Sequence, residues 1–424
     1  MVKDSKNKSN LINTVAVGCQ FNFVNKQEII SELDELKLLS QTAGYDIKKF
    51  FIQKRNKVDP ATFIGKGKID EIILYSNINN IKLVIFNDDL SPTQIKNIQK
   101  HFGEKKQVID RSGLIIEIFS KNARTKESKV QVEIAKLEYM LPRLTRLWTH
   151  LERQMGGRGT RGGPGETQIE VDRRLISTQL VKLKSKLKKI ESQRLTQNKS
   201  RNSIFKVCLC GYTNAGKSTL MKLLSGSKVY VQDELFATLD ATSRKIFINN
   251  SNILLTDTVG FINKLPHNLI ASFRSTLSVV KEADLIIKVL DSSSNNINTH
   301  HKVINDTLKY LEADQKDQII VYNKIDLIND EEKLADLKFN YPDSIFISAR
   351  QQSKIKNLIN QINKFCTKHY IEEEIEVNYS NTKILNYIYK NVEVINQINN
   401  NDKMILHVKG SKEDIDRIKS KINC

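Results

Sequence analysis

Residues 205–218 read FKVCLCGYTNAGKS, and STLMKLLS follows from Ser218. The apolar run has the length and composition of a buried strand, and the stretch after it reads as a helix. Between them stands Gly211-Tyr212-Thr213-Asn214-Ala215-Gly216-Lys217-Ser218, a complete GxxxxGK[ST] element. Strand, glycine loop and helix in this order form a phosphate cradle. The glycines let successive backbone N–H groups turn inward, and the helix N-terminus adds its positive dipole end. Lys217 is placed to reach β- and γ-phosphates, and the Ser218 hydroxyl to bind Mg²⁺.

Further pieces follow downstream in a fixed order. Asp257-Thr258-Val259-Gly260 ends the apolar run NILLTDT; its aspartate can orient Mg²⁺ through water, and the Gly260 N–H can sense a γ-phosphate. Asn323-Lys324-Ile325-Asp326 ends QIIVYNK, and Asp326 can accept from guanine N1–H and its amino group, a donor pattern adenine lacks. Ser348-Ala349-Arg350 ends the next run, where a backbone N–H can meet guanine O6. Together, each at a strand end, these predict a guanine-nucleotide site. Between the first two lies Phe236-Ala237-Thr238-Leu239-Asp240, whose threonine is the candidate for a second hydroxyl on Mg²⁺, with Thr242 a nearby competitor. After Gly260 comes Phe261, where many GTPases carry a water-orienting glutamine. A phenyl ring can neither accept a proton nor hold that water, so slow unassisted hydrolysis is expected; core packing is its other reading.

Outward from this site the chain keeps the same grammar. Runs of strand type alternate with helical patterns over residues 204–368, which predicts an α/β nucleotide-binding domain with a mainly parallel sheet. Residues 11–120 alternate likewise, with TVAVGC, DIKKFFIQ, KLVIFND and QVID as strands and residues 26–39, 66–75 and 91–102 as helices, a second α/β domain. Residues 372–424 read as strand, helix, two strands, helix, a small α+β unit, and residues 1–10 as a basic tail.

Residues 121–203 differ. Ile134, Leu137, Leu141, Leu144, Trp148 and Leu151 step by three and four, and Ile169, Ile176, Leu180, Leu183, Leu187 and Ile190 resume the pattern. This predicts an antiparallel helical hairpin, with Pro142 kinking or restarting the first helix. Its tip, MGGRGTRGGPGET, holds 6 of the 17 glycines. Of a net charge of +19, residues 121–201 carry 20 Lys and Arg against 8 Asp and Glu. So local an excess is the footprint of a nucleic-acid partner; a solvated helix face is the plainer alternative. No run approaches the roughly 18 apolar residues of a spanning helix, so no membrane is expected. MVKDSKNKSN lacks the apolar core of a secretory signal, while a short basic organelle presequence stays open. The five cysteines form no CxxC pair, and Cys208 and Cys210 read as buried free thiols of a reducing compartment.

The chain resembles the HflX family, of the TrmE–Era–Obg–HflX class of GTPases. The resemblance rests on FIGKGKIDEI, FNDDLSPTQIKNIQ, VIDRSGLIIEIF, ARTKESKVQVEIAKLEYMLPRL, WTHLERQMGGRGTRGGPGETQIEVDRR, LFATLDATSRK, LLTDTVGFINKLPHNLIASFRSTL and VYNKID, most of residues 60–350. Ala241 departs from it where proline is expected. The resemblance implies a cytoplasmic, monomeric GTPase, with Lys217, Thr238 and Gly260 its catalytic set and Ser218, Thr238 and Asp257 its Mg²⁺ site. It implies binding to the large ribosomal subunit and its rRNA, with separation of stalled ribosomes under stress. Arg153, Arg158 and Arg161 at the tip then become candidate RNA contacts. It further implies ATP binding in the N-terminal part, where Gly65-Lys66-Gly67 is the candidate and an ordinary helix-opening turn the alternative. A GTP-regulated protein-docking switch and a ribosome-assembly factor are the competing readings.

Overall fold

The computed structural model describes residues 11–21, 26–103, 105–144, 168–199, 204–226, 235–236, 239–248, 251–264, 266, 269, 274–328, 330–368, 370–400 and 403–422. The chain divides into two compact units, the first made of Met1–Ser192, Asp233–Leu239 and Lys264–Arg274, the second of the rest.

In the first unit the order is β1 (Ile12–Phe21), α1 (Lys26–Ala43), β2 (Tyr45–Arg55), α2 (Lys66–Ile78), β3 (Leu83–Phe86), α3 (Pro92–Phe102), β4 (Gln107–Ile109), α4 (Arg111–Asn122), α5 (Lys126–Met140) and α6 (Gln168–Lys199). The strands form a parallel sheet in the order β2-β1-β3-β4. Local chemistry starts the helices. Ser91 and Gln94 close a capping box before Pro92, Asp110 takes the Gly113 N–H at 2.8 Å, and Thr125 takes that of Ser128 at 3.1 Å. Gly65 opens α2, and its N–H donates to Gln53 Oε1 at 2.8 Å. Pro142 falls in a 3₁₀ turn, Leu141–Arg143, which ends α5. Val130, Ile134, Leu137 and Leu144 bury against Ile176, Leu180 and Leu183 of α6, each side chain contributing about 1.5–3 kcal/mol before entropy. Gln179 to Glu133 (2.8 Å) and Lys184 to Glu138 (2.7 Å) flank that seam. Trp148, Leu151 and the glycine-rich tip lie outside the described residues.

The second unit carries β5 (Phe205–Gly211), α7 (Lys217–Ser225), β6 (Thr242–Ile248), β7 (Ser251–Asp257), α8 (Arg274–Glu282), β8 (Leu285–Asp291), α9 (Ile297–Tyr310), β9 (Asp317–Asn323), α10 (Glu331–Asn340), β10 (Ile345–Phe346) and α11 (Ile355–Thr367). Its sheet runs β10-β9-β8-β5-β7-β6, parallel except for β6 on β7. β5 is central, so Val207, Leu209, Leu285, Ile287 and Val321 meet in one core, and the strand ends converge on a single rim. Last come β11 (Ile371–Asn378), α12 (Thr382–Asn391), β12 (Glu393–Asn400), β13 (Lys403–Gly410) and α13 (Lys412–Ile422), an antiparallel sheet β11-β13-β12 over its own core of Ile375, Ile388, Leu406 and Ile415. Cys19, Cys208, Cys210 and Cys366 are buried free thiols.

Candidate nucleotide site

The loop between β5 and α7 needs its glycines for two different reasons. A Cβ on Gly211 would lie 2.2 Å from the Val289 carbonyl oxygen, so the loop leaves the sheet where no side chain fits. Gly216 has φ +92°, and a Cβ there would lie 2.2 Å from Asn323 Nδ2. Asn214 adds a second left-handed residue at φ +59°. These turns bring Lys217 back over its own loop. Its ammonium donates to the carbonyls of Tyr212 (2.7 Å) and Gly211 (3.1 Å). Burial pushes the Lys217 pKa down to about 8, against the pull of Asp257. A buried cation ringed by carbonyls is poised for an anion.

Ser218, one residue on, donates its hydroxyl to Asp257 Oδ2 at 2.6 Å, joining the first turn of α7 to the end of β7. Asp257 is buried, and Thr258 anchors the same strand end on the Leu209 carbonyl at 2.7 Å. Beyond it the chain crosses the phosphate loop. Phe261 N–H donates to Gly211 O at 3.0 Å, and Thr213 N–H to Phe261 O at 2.8 Å. Val259 and the Phe261 ring are buried.

Asn323 ties three loops together. Its amide donates to Ala215 O at 2.9 Å, its Oδ1 accepts from Ala349 N–H at 2.9 Å, and its carbonyl accepts from Ser292 N–H at 2.9 Å. Lys324 takes a left-handed φ of 65° and pairs with Asp291 at 2.8 Å. Asp326, on the turn Ile325–Leu327, accepts from the Ser348 hydroxyl at 2.5 Å, and Arg350 is exposed. The phosphate loop, Asp257–Gly260, Asn323–Asp326 and Ser348–Ala349 thus meet at one end of the parallel sheet. The Ala349 N–H of this strand end is taken by Asn323 Oδ1.

Phe236 and Leu239 are described with the first unit. The Phe236 ring meets Phe119 edge-on at 4.8 Å, and its carbonyl takes the Asn122 amide at 2.9 Å. Ala237 and Thr238 lie outside the described residues, as do Arg153, Arg158 and Arg161; Asp240 belongs to the second unit. Sequence reasoning missed two contacts. The Lys324–Asp291 pair could have been found from the acidic residue closing a strand. His300, stacked on Tyr212, sends no local signal.

This constellation defines a P-loop GTPase domain. Three family models cover the chain in series: the GTP-binding GTPase N-terminal region matches residues 30–120, the GTP-binding GTPase middle region 122–201, and a "50S ribosome-binding GTPase" model 206–324. The GTPase HflX of Flavobacterium psychrophilum is 46% identical over 321 residues, 76% of this chain and 77% of that protein. That of Escherichia coli is 39% identical over 340 residues, 79% of each. A solved structure titled "crystal structure of SsGBP and GDP complex" is 26% identical with a TM-score of 0.47, covering 84% of this chain and 99% of that one. The chain belongs to the HflX family of GTPases, and its reaction is hydrolysis of GTP to GDP and phosphate.

Proposed function

We propose that this GTPase acts on the ribosome, binding the large subunit in its GTP form and separating or rescuing stalled ribosomes in the cytoplasm. The observation that carries the reading is the basic hairpin. While Leu180 and Leu183 of α6 turn into the seam, Lys182, Lys186 and Lys189, spaced by four and three along the helix, are exposed, a row of charge fit to track phosphates. In sequence α6 follows directly on the glycine-rich stretch, in and just before which Arg153, Arg158 and Arg161 would contact rRNA. The name of the matched 206–324 model, a 50S ribosome-binding GTPase, supports the same partner.

At the nucleotide, Lys217 holds the β- and γ-phosphates, Gly260 N–H reads the γ-phosphate, Asp326 reads the guanine N1 edge, and the 348–350 loop meets O6. Mg²⁺ fits the donor set, since Ser218 Oγ and Asp257 Oδ2 are hard oxygens held 2.6 Å apart beside Lys217. Ser218, Thr238 and, through water, Asp257 would hold it, and the ion would neutralise charge developing on the phosphates. Phe261 supplies no acid or base, so hydrolysis is slow until the ribosome completes the site.

The test is sedimentation of the purified chain with ribosomes and with separated subunits, in GDP, in a non-hydrolysable GTP analogue and without nucleotide, alongside GTP turnover. Pelleting with large subunits chiefly in the analogue, with faster turnover, is expected. Pelleting that ignores nucleotide favours an assembly factor. No pelleting and no stimulation would leave a protein-docking switch.

A further inference from the structure

We infer that Tyr212, a position the phosphate-loop motif leaves open, is the positioning residue that fixes the γ-phosphate sensor. The inference rests on the reading of Gly260 as that sensor. Tyr212 is buried and engaged on three sides. Its carbonyl accepts the Lys217 ammonium at 2.7 Å. The peptide groups flanking it bind both main-chain groups of Phe261, from Gly211 O and Thr213 N–H. Its phenolic oxygen accepts the main-chain N–H of Asn263 at 2.7 Å. Tyr212 therefore binds the phosphate-reading lysine and the Asn263 end of the Phe261–Asn263 stretch that begins next to Gly260, while the residues on either side of it hold the Phe261 end.

Two further features turn these contacts into a device. The Tyr212 ring lies flat on the His300 imidazole of α9, centroids 3.8 Å apart at 18°, which fixes where the hydroxyl can point. Gly260 is held so near that a Cβ there would lie 2.8 Å from Thr213 Cα and 3.1 Å from Lys217 Nζ. The sensor N–H and the ammonium that face one phosphate are thereby placed relative to each other by bonds through Tyr212. The backbone bridge at Phe261 holds one end of the stretch whatever the side chain at 212. The hydroxyl holds the other end, and only a tyrosine at this position supplies it.

A group that positions Gly260 matters to a nucleotide with a γ-phosphate and not to one without. Tyr212→Phe keeps the ring and its stack and deletes the acceptor. In full-length protein, titrated with fluorescent GDP and a fluorescent non-hydrolysable GTP analogue, affinity for the analogue should fall about fivefold, the worth of one neutral hydrogen bond. GDP affinity should change less than about twofold, and single-turnover hydrolysis should slow with the analogue affinity. Hydrogen exchange supplies a second readout: the peptide holding Asn263 should exchange faster in Tyr212→Phe. Equal losses for both nucleotides, or no loss and unchanged exchange, would overturn the inference. Gly260→Ala is the companion arm. If it leaves the analogue-to-GDP preference intact, Gly260 is not the sensor and the underlying reading fails; if it abolishes the preference while Tyr212→Phe does not, the inference about Tyr212 fails alone.

Discussion

Asp326 and Phe261 show how single side chains divide the work of the site. The Ser348 hydroxyl pins one oxygen of the Asp326 carboxylate at 2.5 Å, so the group is oriented rather than merely present. If it reads guanine, Asp326→Asn swaps an acceptor for a donor facing the guanine amino group. A charged hydrogen bond is worth about 1.5–3 kcal/mol, so GTP affinity should drop roughly tenfold to a hundredfold while xanthosine triphosphate gains. Competition titrations against labelled GDP read this out, and unimpaired GTP binding would remove Asp326 from base recognition. Phe261 is the opposite case. Its main chain binds Gly211 and Thr213, while the residue is only 2% exposed. Phe261→Leu stays apolar and gives up only part of the ring volume, so basal turnover should stay within about threefold. A drop on the order of a hundredfold would place the ring in the proton-transfer step instead.

At the scale of elements, the site is as good as the junctions between strands and helices, and α9 supplies a measurable one. His300 sits on it beneath Tyr212, and burial pushes its pKa down to about 4, with Asp291 opposing and His301 assisting. The unfolded chain takes up that proton near pH 6.5 and the folded chain near 4. Between these values the unfolded state binds more protons, so stability must fall as pH drops through the window. His300→Gln cannot titrate. Urea midpoints at pH 7, 6 and 5 should therefore fall more steeply for the natural chain than for the variant, and parallel curves would show the imidazole is not buried neutral. The same junctions explain what could be read in advance. β1 to β4, the phosphate loop and the last βαββα unit were legible because turn residues bound short apolar runs. α4 was not separated from β4, because Leu114, Ile115, Ile116, Ile118 and Phe119 are all buried and leave only a narrow polar stripe at Glu117, Ser120 and Lys121 to show a helical period. β10, though only two residues long, was legible inside the apolar run SIFISA that Ser348 and Ala349 end. Tyr212 and His300 are far apart in sequence, and no local pattern links them.

For the molecule as a whole, the informative quantity is where the charge of +19 sits. The nucleotide machinery lies in residues 204–368, whereas the densest basic charge lies in 121–201, so the two can be perturbed separately. Replacing Arg153, Arg158 and Arg161 together by Ala removes three tip cations and no residue of the nucleotide site. GDP affinity of the free chain should be unchanged. Ribosome pelleting should weaken, and ribosome-stimulated turnover should fall with it. Each phosphate contact releases counterions, so each one lost should also flatten the dependence of log affinity on log salt, by about 0.7–0.9 in slope for simple nucleic acids. Folded rRNA has its own ion atmosphere, so the direction of that change is the tested quantity. Lys182→Ala and Lys186→Ala on the exposed face of α6 make the comparison that separates location from charge. If RNA is read at the tip, the arginine variant loses stimulation out of proportion to its lost charge, whereas the lysine variants lose affinity and keep the turnover of whatever complex forms. Equal effects per charge would mean that the hairpin attracts ribosomes only as a diffuse cation. Unchanged pelleting and stimulation in the arginine variant would take RNA contact away from the tip and leave the hairpin as a protein-docking surface.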